Sequence, residues 1–395
     1  MFSKSLKKSN NQNTTDLITF TFAGLAMVGV VYGLARYSLG FFIPEFIEEF
    51  LLSHKQAGWV LSASYFSCLA AMHPSALLIA KYGPRISILG GGMFAAIGMG
   101  VIALSPNFIW LIIGVILGGF SAGFAYPAYS VAIKQRIAAK DNNLVYGWIN
   151  SGTGFGIILV APIILFVNFD WRTTWCILAL IAFAIVVFNA ATLEHLKPEK
   201  DAQGVSLVNM IYELGQRSAR PLFISSIIFG LLTSSYWAFA VDFILLQTGQ
   251  QSYITIFLIF LGGSGALGCM AGNIVNGLGL RKSFRIMMLA NAVSIGVFPM
   301  VSTSLSTILL SAVLFGSTFI IGTAVHGIWA LRLYPKNAAF GFATTFFLIS
   351  LGQGLGAVLG GFVIQNFGHS ELFAFCALLG VLLAFFPSSW FEKAT

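Results

Sequence analysis

The sequence predicts an all-α membrane protein, with twelve transmembrane helices arranged as two pseudo-symmetric six-helix bundles. Three observations lead there: a surplus of apolar residues, their division into runs of spanning length, and an internal repeat of about 200 residues. Apolar residues make up 57% of the 395 positions, charged residues only 9%, and the mean hydropathy is +0.88. A soluble domain carries about 25% charged residues. A fold this poor in charge cannot cover itself with polar surface, so lipid must face most of it. The 38 Phe and 42 Gly suit that setting, because Gly is tolerated in membrane helices and lets their backbones approach.

A helix crossing the hydrocarbon core needs about 20 predominantly apolar residues. Apolar runs fall near 17–43, 56–80, 86–104, 109–133, 146–168, 171–193, 221–246, 253–276, 284–302, 305–330, 341–365 and 371–388. Residues 1–16 read as a polar, basic tail with no signal-peptide cleavage pattern, and 389–395 as a short C-terminal tail. The first six runs make one bundle over 17–193 and the last six a second over 221–388. Between them, 194–220 is the only long connection. It holds Lys197, Lys200, Arg217 and Arg220, and its apolar period (Val205, Val208, Ile211, Tyr212) predicts a short helix lying on the membrane surface.

The formal charge of +8 does not point to nucleic acid, since the basic residues are spread over short loops between spans. With the N-terminus in the cytoplasm, every Lys and Arg except Lys55, Arg172 and the intramembrane Arg36 falls on the cytoplasmic side. That asymmetry orients the chain in a bacterial inner membrane with both termini cytoplasmic. Cys68, Cys176, Cys269 and Cys376 all lie inside apolar stretches and read as small core residues, not as a disulfide or metal framework.

The repeat shows in three echoes at one spacing. Asn150-Ser151-Gly152-Thr153-Gly154-Phe155-Gly156 opens the fifth span, and Ser350-Leu351-Gly352-Gln353-Gly354-Leu355-Gly356 lies in the eleventh. The loop Lys81-Tyr82-Gly83-Pro84-Arg85 pairs with Gly277-Leu278-Gly279-Leu280-Arg281, and Arg36-Tyr37 with Ser235-Tyr236. Parallel repeats related by an axis along the membrane normal are one of the transporter architectures.

On these residues the chain resembles the major facilitator superfamily over essentially its full length. That family carries a G-x-x-x-D-R-x-G-x-[RK] signature between helices 2 and 3, repeated between helices 8 and 9. The better copy here runs from Gly272 to Arg281, with Asn276 at the acidic position and Gly279 retained. In the first copy Ala76 and Ala80 replace the Gly and Asp, while Lys81, Gly83 and Arg85 remain. The resemblance implies that this loop latches the two halves at their cytoplasmic ends, and loss of the acid implies a weaker latch. Gly114 stands where the family usually has an arginine in helix 4. Gly33-Leu34-Ala35-Arg36-Tyr37 followed by Pro44, with Asn150 to Gly154, resembles the YbfB/YjiJ-like branch of bacterial carriers. A monomer is the usual state in the superfamily.

Arg36 is the most informative single residue. A cation at the centre of a span costs about 2.5–3.5 kcal/mol on insertion scales. It therefore needs an anionic partner, a wet cavity, or escape to the interface by snorkelling. A cavity-facing Arg36 would contact an anion, with Tyr37 and Ser38 beside it. Further pathway candidates are Tyr126 and Tyr129 in the fourth span, Asn150 and Thr153 in the fifth and Tyr236 and Trp237 in the seventh. His326 and Trp329 in the tenth and Gln353 in the eleventh complete the set. Each has a plainer alternative as helix-packing glue or an interfacial aromatic. His326, His73 and Asp242 are the candidates for proton coupling or gating, because an imidazole changes charge near neutral pH; packing histidines and an interfacial carboxylate are the alternatives. Glu45, Glu48 and Glu49 after Pro44 read as a solvated acidic rim in the first outer loop.

No Gly-Lys-Ser/Thr phosphate loop, metal-spaced Cys/His cluster or Ser/His/Asp set is present in the sequence. The expectation is a non-enzymatic secondary transporter, with no cofactor, that moves a small solute by alternating access. Protons are the expected coupling ion. Arg36 biases the solute towards an organic anion such as a carboxylate. The alternatives are a proton-driven exporter of drugs or amphipathic metabolites, on the aromatic content and the Gly152-x-x-x-Gly156 stretch with Pro162, and a transport-inactive membrane sensor.

Overall fold

A computed structural model describes residues 14–137, 142–168, 170–194, 196–198, 216, 218–300, 304–334 and 338–386. The surface helix expected around 205–212 lies outside the described residues, as does most of both tails. Every regular element described is helical, and ten helical stretches, two of them joining α-helical to π or 3-10 turns, are long and apolar enough to cross a membrane.

The first crossing is not the continuous helix that the apolar run 17–43 predicts. Helix α1 (Thr14–Val28) passes into a π-helical turn (Gly29–Leu34) and breaks at Ala35 and Arg36. It resumes as a 3-10 helix (Tyr37–Phe42) and then α2 (Ile43–Phe50). The amide of Ala35 donates to the Val30 carbonyl at 2.8 Å, the wide spacing that marks the π turn. Glu45, Glu48 and Glu49 thus belong to a helix, not to a loop. Pro44 permits this because it stands in the first turn, where its missing N–H costs nothing. The helix ends at Leu51, whose φ of 52° is left-handed.

Crossings two to six are α3 (His54–Tyr82), α4 (Pro84–Ala103), α5 (Phe108–Arg136), α6 (Asn142–Phe166) and α7 (Trp171–Thr192). The seventh is α8 (Arg220–Thr248). The eighth is α9 (Gln251–Gly265), a 3-10 turn (Ala266–Met270) and α10 (Ala271–Leu278). Helices α11 (Leu280–Gly296), α12 (Leu305–Leu333), α13 (Ala338–Asn366) and α14 (His369–Ala384) complete the chain. At 17 and 16 residues, α11 and α14 are shorter than a full span. Short polar punctuation sets the starts. Ser53 and Gln56 form a capping box on α3, Asn107 accepts the amides of Ile109 and Trp110, and Asp170 accepts that of Thr173. Gly83 and Gly279, matched positions of the repeated loop, both adopt a positive φ, +85° and +78°, which explains the retained glycine.

The repeat is written into the packing. Helix α6 lies against the first crossing and α13 against α8. A Cβ on Gly152 or Gly156 would collide with the carbonyls of Leu25 and Gly29. Two hundred residues on, a Cβ on Gly352 or Gly356 would collide with those of Ile227 and Leu231. Close backbone approach through small residues is how membrane helices pack without a hydrophobic driving force.

The earlier helices meet the later ones where α3 packs on α13, α6 on α9 and the 3-10 turn that follows it, and the Tyr37–Phe42 turn and α2 on α8. The turn at 51–53 marks what is here termed the far end of the molecule, and the start of α1 the near end. At the far end the seam is tight. Gly40 abuts the Trp237 carbonyl, Gly58 that of Ala357, and Gly361 that of His54.

Candidate functional site

The break in the first crossing sets the site. The helical hydrogen-bond ladder is interrupted at residues 35 and 36, between the π turn and the 3-10 helix, while both residues keep right-handed helical dihedrals, and the Arg36 side chain is buried in the middle of the molecule. Irregular backbone at membrane depth is tolerated where it is buried in protein or lines a cavity. A small cavity lies beside it, between the π turn and 3-10 helix of the first crossing and α3, α5, α6, α12 and α13.

Arg36 is only 2% exposed. One terminal nitrogen, Nη2, donates to Gln353 Oε1 at 3.0 Å and to Ser350 Oγ at 3.3 Å; the other, Nη1, lies 3.6 Å from Cys68 Sγ. Its guanidinium carbon is 4.6 Å from the ring centre of Tyr65, 5.4 Å from that of Tyr32 and 5.8 Å from that of Tyr37. Aromatic faces attract a desolvated cation by about 2 kcal/mol or more, but they carry no net negative charge. Among the described residues no carboxylate pairs with it; the ion pairs present join Arg136 to Glu194, Arg172 to Glu49, and Asp242 to two histidines. The Nε of Arg36 and the Nε2 of Gln353 are buried with no hydrogen-bond partner. A buried donor left unmade costs about 1–3 kcal/mol. The site therefore offers a fixed positive charge and two donor nitrogens without partners to whatever enters.

Six of the residues singled out in the sequence line this cavity: Arg36, Tyr37, Tyr126, Asn150, Thr153 and Gln353. Thr153 and Gln353 are repeat mates on α6 and α13, so the two halves bring equivalent positions to one site. The Tyr126 hydroxyl pairs with that of Tyr146 and donates to Asn150 Oδ1 at 3.3 Å. Trp237 stacks on Tyr37 at 4.6 Å and meets Phe319 edge-on at 5.3 Å, which caps the cavity towards the far end. Towards the near end, Tyr126 meets Phe346 and Tyr146 meets Phe342 across the seam, both near 6 Å.

The remaining candidates lie elsewhere. Tyr129 is buried against Phe20 and bonds to Asn189. Tyr236 stacks on Phe315 and bonds to Ser311 Oγ at 2.8 Å within the later helices. The His326 ring bonds through Nδ1 to the Gly322 carbonyl, lies on Phe229 and meets Phe284, which also meets Trp329. His73 is exposed on α3. Asp242 sits at the far end between His54 and His369. In the repeated loop, Arg85 donates to the carbonyls of Leu193 and Ala190, both at 2.8 Å, at the C-terminus of α7 in its own half; a cation suits that helix end. Lys81, Gly272, Asn276 and Arg281 are exposed.

Sequence reasoning missed Tyr32, Met72, Phe319, Thr323, Phe346 and Ser350 among the lining residues. Ser350 carried a signal, since it opens the repeat stretch as Asn150 does. The apolar residues carried none, because an aromatic in a membrane helix reads alike whether it faces lipid, core or cavity.

The family model described as Major Facilitator Superfamily matches residues 25–272. Human monocarboxylate transporter 11 is 27% identical over 181 residues, covering 45% of this chain and 38% of the relative. The chain thus spans about two-fifths of the length of the first curated relatives it matches. The multi-drug resistance efflux pump PmrA of Streptococcus pneumoniae is 24% identical over 352 residues, covering 84% of this chain and 86% of the pump. A crystal structure of a variant of nucleoside transporter NupG superposes with a TM-score of 0.78 at 14% identity, covering 95% of this chain and 99% of that one. At that identity the likeness is one of fold.

Proposed function

Since the chain belongs to the Major Facilitator Superfamily, whose members are membrane transporters, we propose that it is a secondary carrier of a small organic anion, a carboxylate above all. The observation that carries this reading is the buried Arg36, which faces a cavity with no carboxylate beside it among the described residues. A charge removed from water and left unpaired is costly, and an entering carboxylate supplies the counter-charge. Its two oxygens suit the fork of a guanidinium, with Gln353 Nε2 as a third donor. Tyr32, Tyr37 and Phe319 provide apolar walls for the body of the solute.

The carrier works by alternating access between two halves, residues 17–193 and 221–388, with the loop 194–220 joining them. It lies in a bacterial inner membrane with its termini in the cytoplasm, so the far end is periplasmic. The tight far-end seam, with Gly40, Gly58 and Gly361 against facing carbonyls, fits a state closed to the outside. The anion enters at Arg36, neutralises it and lowers the cost of rearranging the seam around it. Protons supply the gradient in this reading, with Asp242 at the far-end seam as the coupling candidate.

Counterflow in proteoliposomes tests the proposal. Small carboxylates should exchange, their neutral amides should not, and Arg36→Ala should abolish the exchange. Undiminished transport of an identified anion by Arg36→Ala would overturn the assignment. A second reading, export of amphipathic compounds, is favoured by the aromatic lining and the similarity to PmrA. A resistance profile on overexpression separates the two.

A further inference from the structure

At the far end, away from the cavity, three side chains from different helices converge. His54 opens α3, Asp242 lies in the last third of α8 and His369 opens α14. The Nε2 atoms of His54 and His369 lie 3.0 and 2.7 Å from the same carboxylate oxygen, Asp242 Oδ2. One ligand atom from each residue lies within 4.8 Å of the others, the one such group of His, Cys, Asp and Glu among the described residues. The rings meet edge to face at 5.1 Å, so both nitrogens point into one small space.

We propose that His54, Asp242 and His369 form a binding site for a divalent cation of the zinc class, which staples the far-end seam closed. Two imidazole nitrogens and one carboxylate oxygen are a donor set for such an ion, whereas magnesium and calcium take oxygen ligands. Bonds of about 2.0–2.2 Å in a tetrahedral arrangement set the donors roughly 3.3–3.5 Å apart. The His–Asp separations of 3.0 and 2.7 Å would open by about 0.3–0.8 Å to reach that. Charge favours a cation as well. On α2, which packs against α8, Glu45 Oε2 is buried without a partner. Neither that carboxylate nor Asp242 pairs with a Lys or Arg among the described residues. His369 is nearly buried, while the His54 side chain is 33% exposed and leaves a path for entry and for a water as fourth ligand.

The consequence is regulatory. A bound cation joins α3 to α8 and α14 directly across the seam, so the far end cannot part while it stays. This inference does not depend on the anion reading, because binding is measured without transport.

The test uses tag-free, full-length protein in detergent, since a polyhistidine tag would itself bind zinc. Equilibrium dialysis against zinc chloride should give one ion per chain, undisplaced by excess magnesium. Asp242→Asn should weaken binding at least tenfold, and so should His54→Gln at the more exposed ligand. Zinc should raise the apparent Tm of the parent protein and not that of either variant. Variants are compared only where their zinc-free melting and size-exclusion profiles match the parent. No stoichiometric zinc, or equal zinc affinity in both variants, overturns the site and leaves the cluster a hydrogen-bonded latch.

Discussion

The first and seventh crossings occupy matched places in the repeat, yet they are built differently. The first breaks at residues 35 and 36 and turns Arg36 and Tyr37 to a cavity. The seventh, α8, runs unbroken for 29 residues, and its Ser235 and Tyr236 turn into packed core. Ser235 returns its hydroxyl to the Leu231 carbonyl at 3.3 Å, and Tyr236 spends its own on Ser311. Both crossings lean on a glycine ladder, α6 for the first and α13 for the seventh. The packing is duplicated, while the charge is confined to one half. Gene-scale symmetry supplies the scaffold, and departure from it supplies the site.

The largest expected effect comes from forcing the halves to match. Ser235 is 1% exposed in apolar surroundings, so Ser235→Arg buries a cation with no partner, a penalty of several kcal/mol. Folded protein should vanish from size-exclusion profiles of membrane extracts. Normal yield would mean that the seventh crossing has a cavity of its own.

The converse change removes the charge where it stands. Arg36→Met should cost the anion about 2–5 kcal/mol of interaction, seen as a loss of 30-fold or more in kcat/KM. The same variant should raise the apparent Tm of the ligand-free protein, since an apolar side chain removes the desolvation cost of a buried charge that has no counter-charge. A lowered Tm would show that Arg36 is a structural pillar and not a solute contact.

The ladders should respond alike. Gly152→Val and Gly352→Val each drive a side chain into a carbonyl on the facing helix, and overpacking of this kind costs about 1–3 kcal/mol. Melting of the two purified variants should fall by similar amounts. A large inequality would break the symmetry of the scaffold. The smallest effects separate the tyrosines. Tyr236→Phe loses its bond to Ser311, about 1 kcal/mol of stability, with KM unchanged. Tyr37→Phe should shift KM, with Tm almost still.

Much of the fold was legible along the chain, because a span announces itself by length and hydropathy and a membrane helix must satisfy its own backbone. The loop glycines were legible too: Gly83 and Gly279 recur because both turns need a positive φ. The helical stretch Ile43–Phe50 was not, because its three glutamates make it read as loop while Pro44 hides in a first turn. Of the candidate site, the polar members Arg36, Asn150, Thr153 and Gln353 stood out against apolar surroundings, and the repeat linked two of them. His326 stood out equally, yet it packs on Phe229 in the helix interior.

The sequence by itself determined that the chain crosses a membrane many times, repeats its packing, and holds one cation within a span at a cost that demands a reason. Only the tertiary structure decided which side of each helix faces the cavity, where the first helix breaks, and that Asp242 meets two histidines from helices remote in sequence. The physical reason is that hydropathy is a property of each residue in its own short window. Facing depends on helix rotation and on contacts such as Arg36 with Gln353, 317 positions apart, which no local pattern encodes.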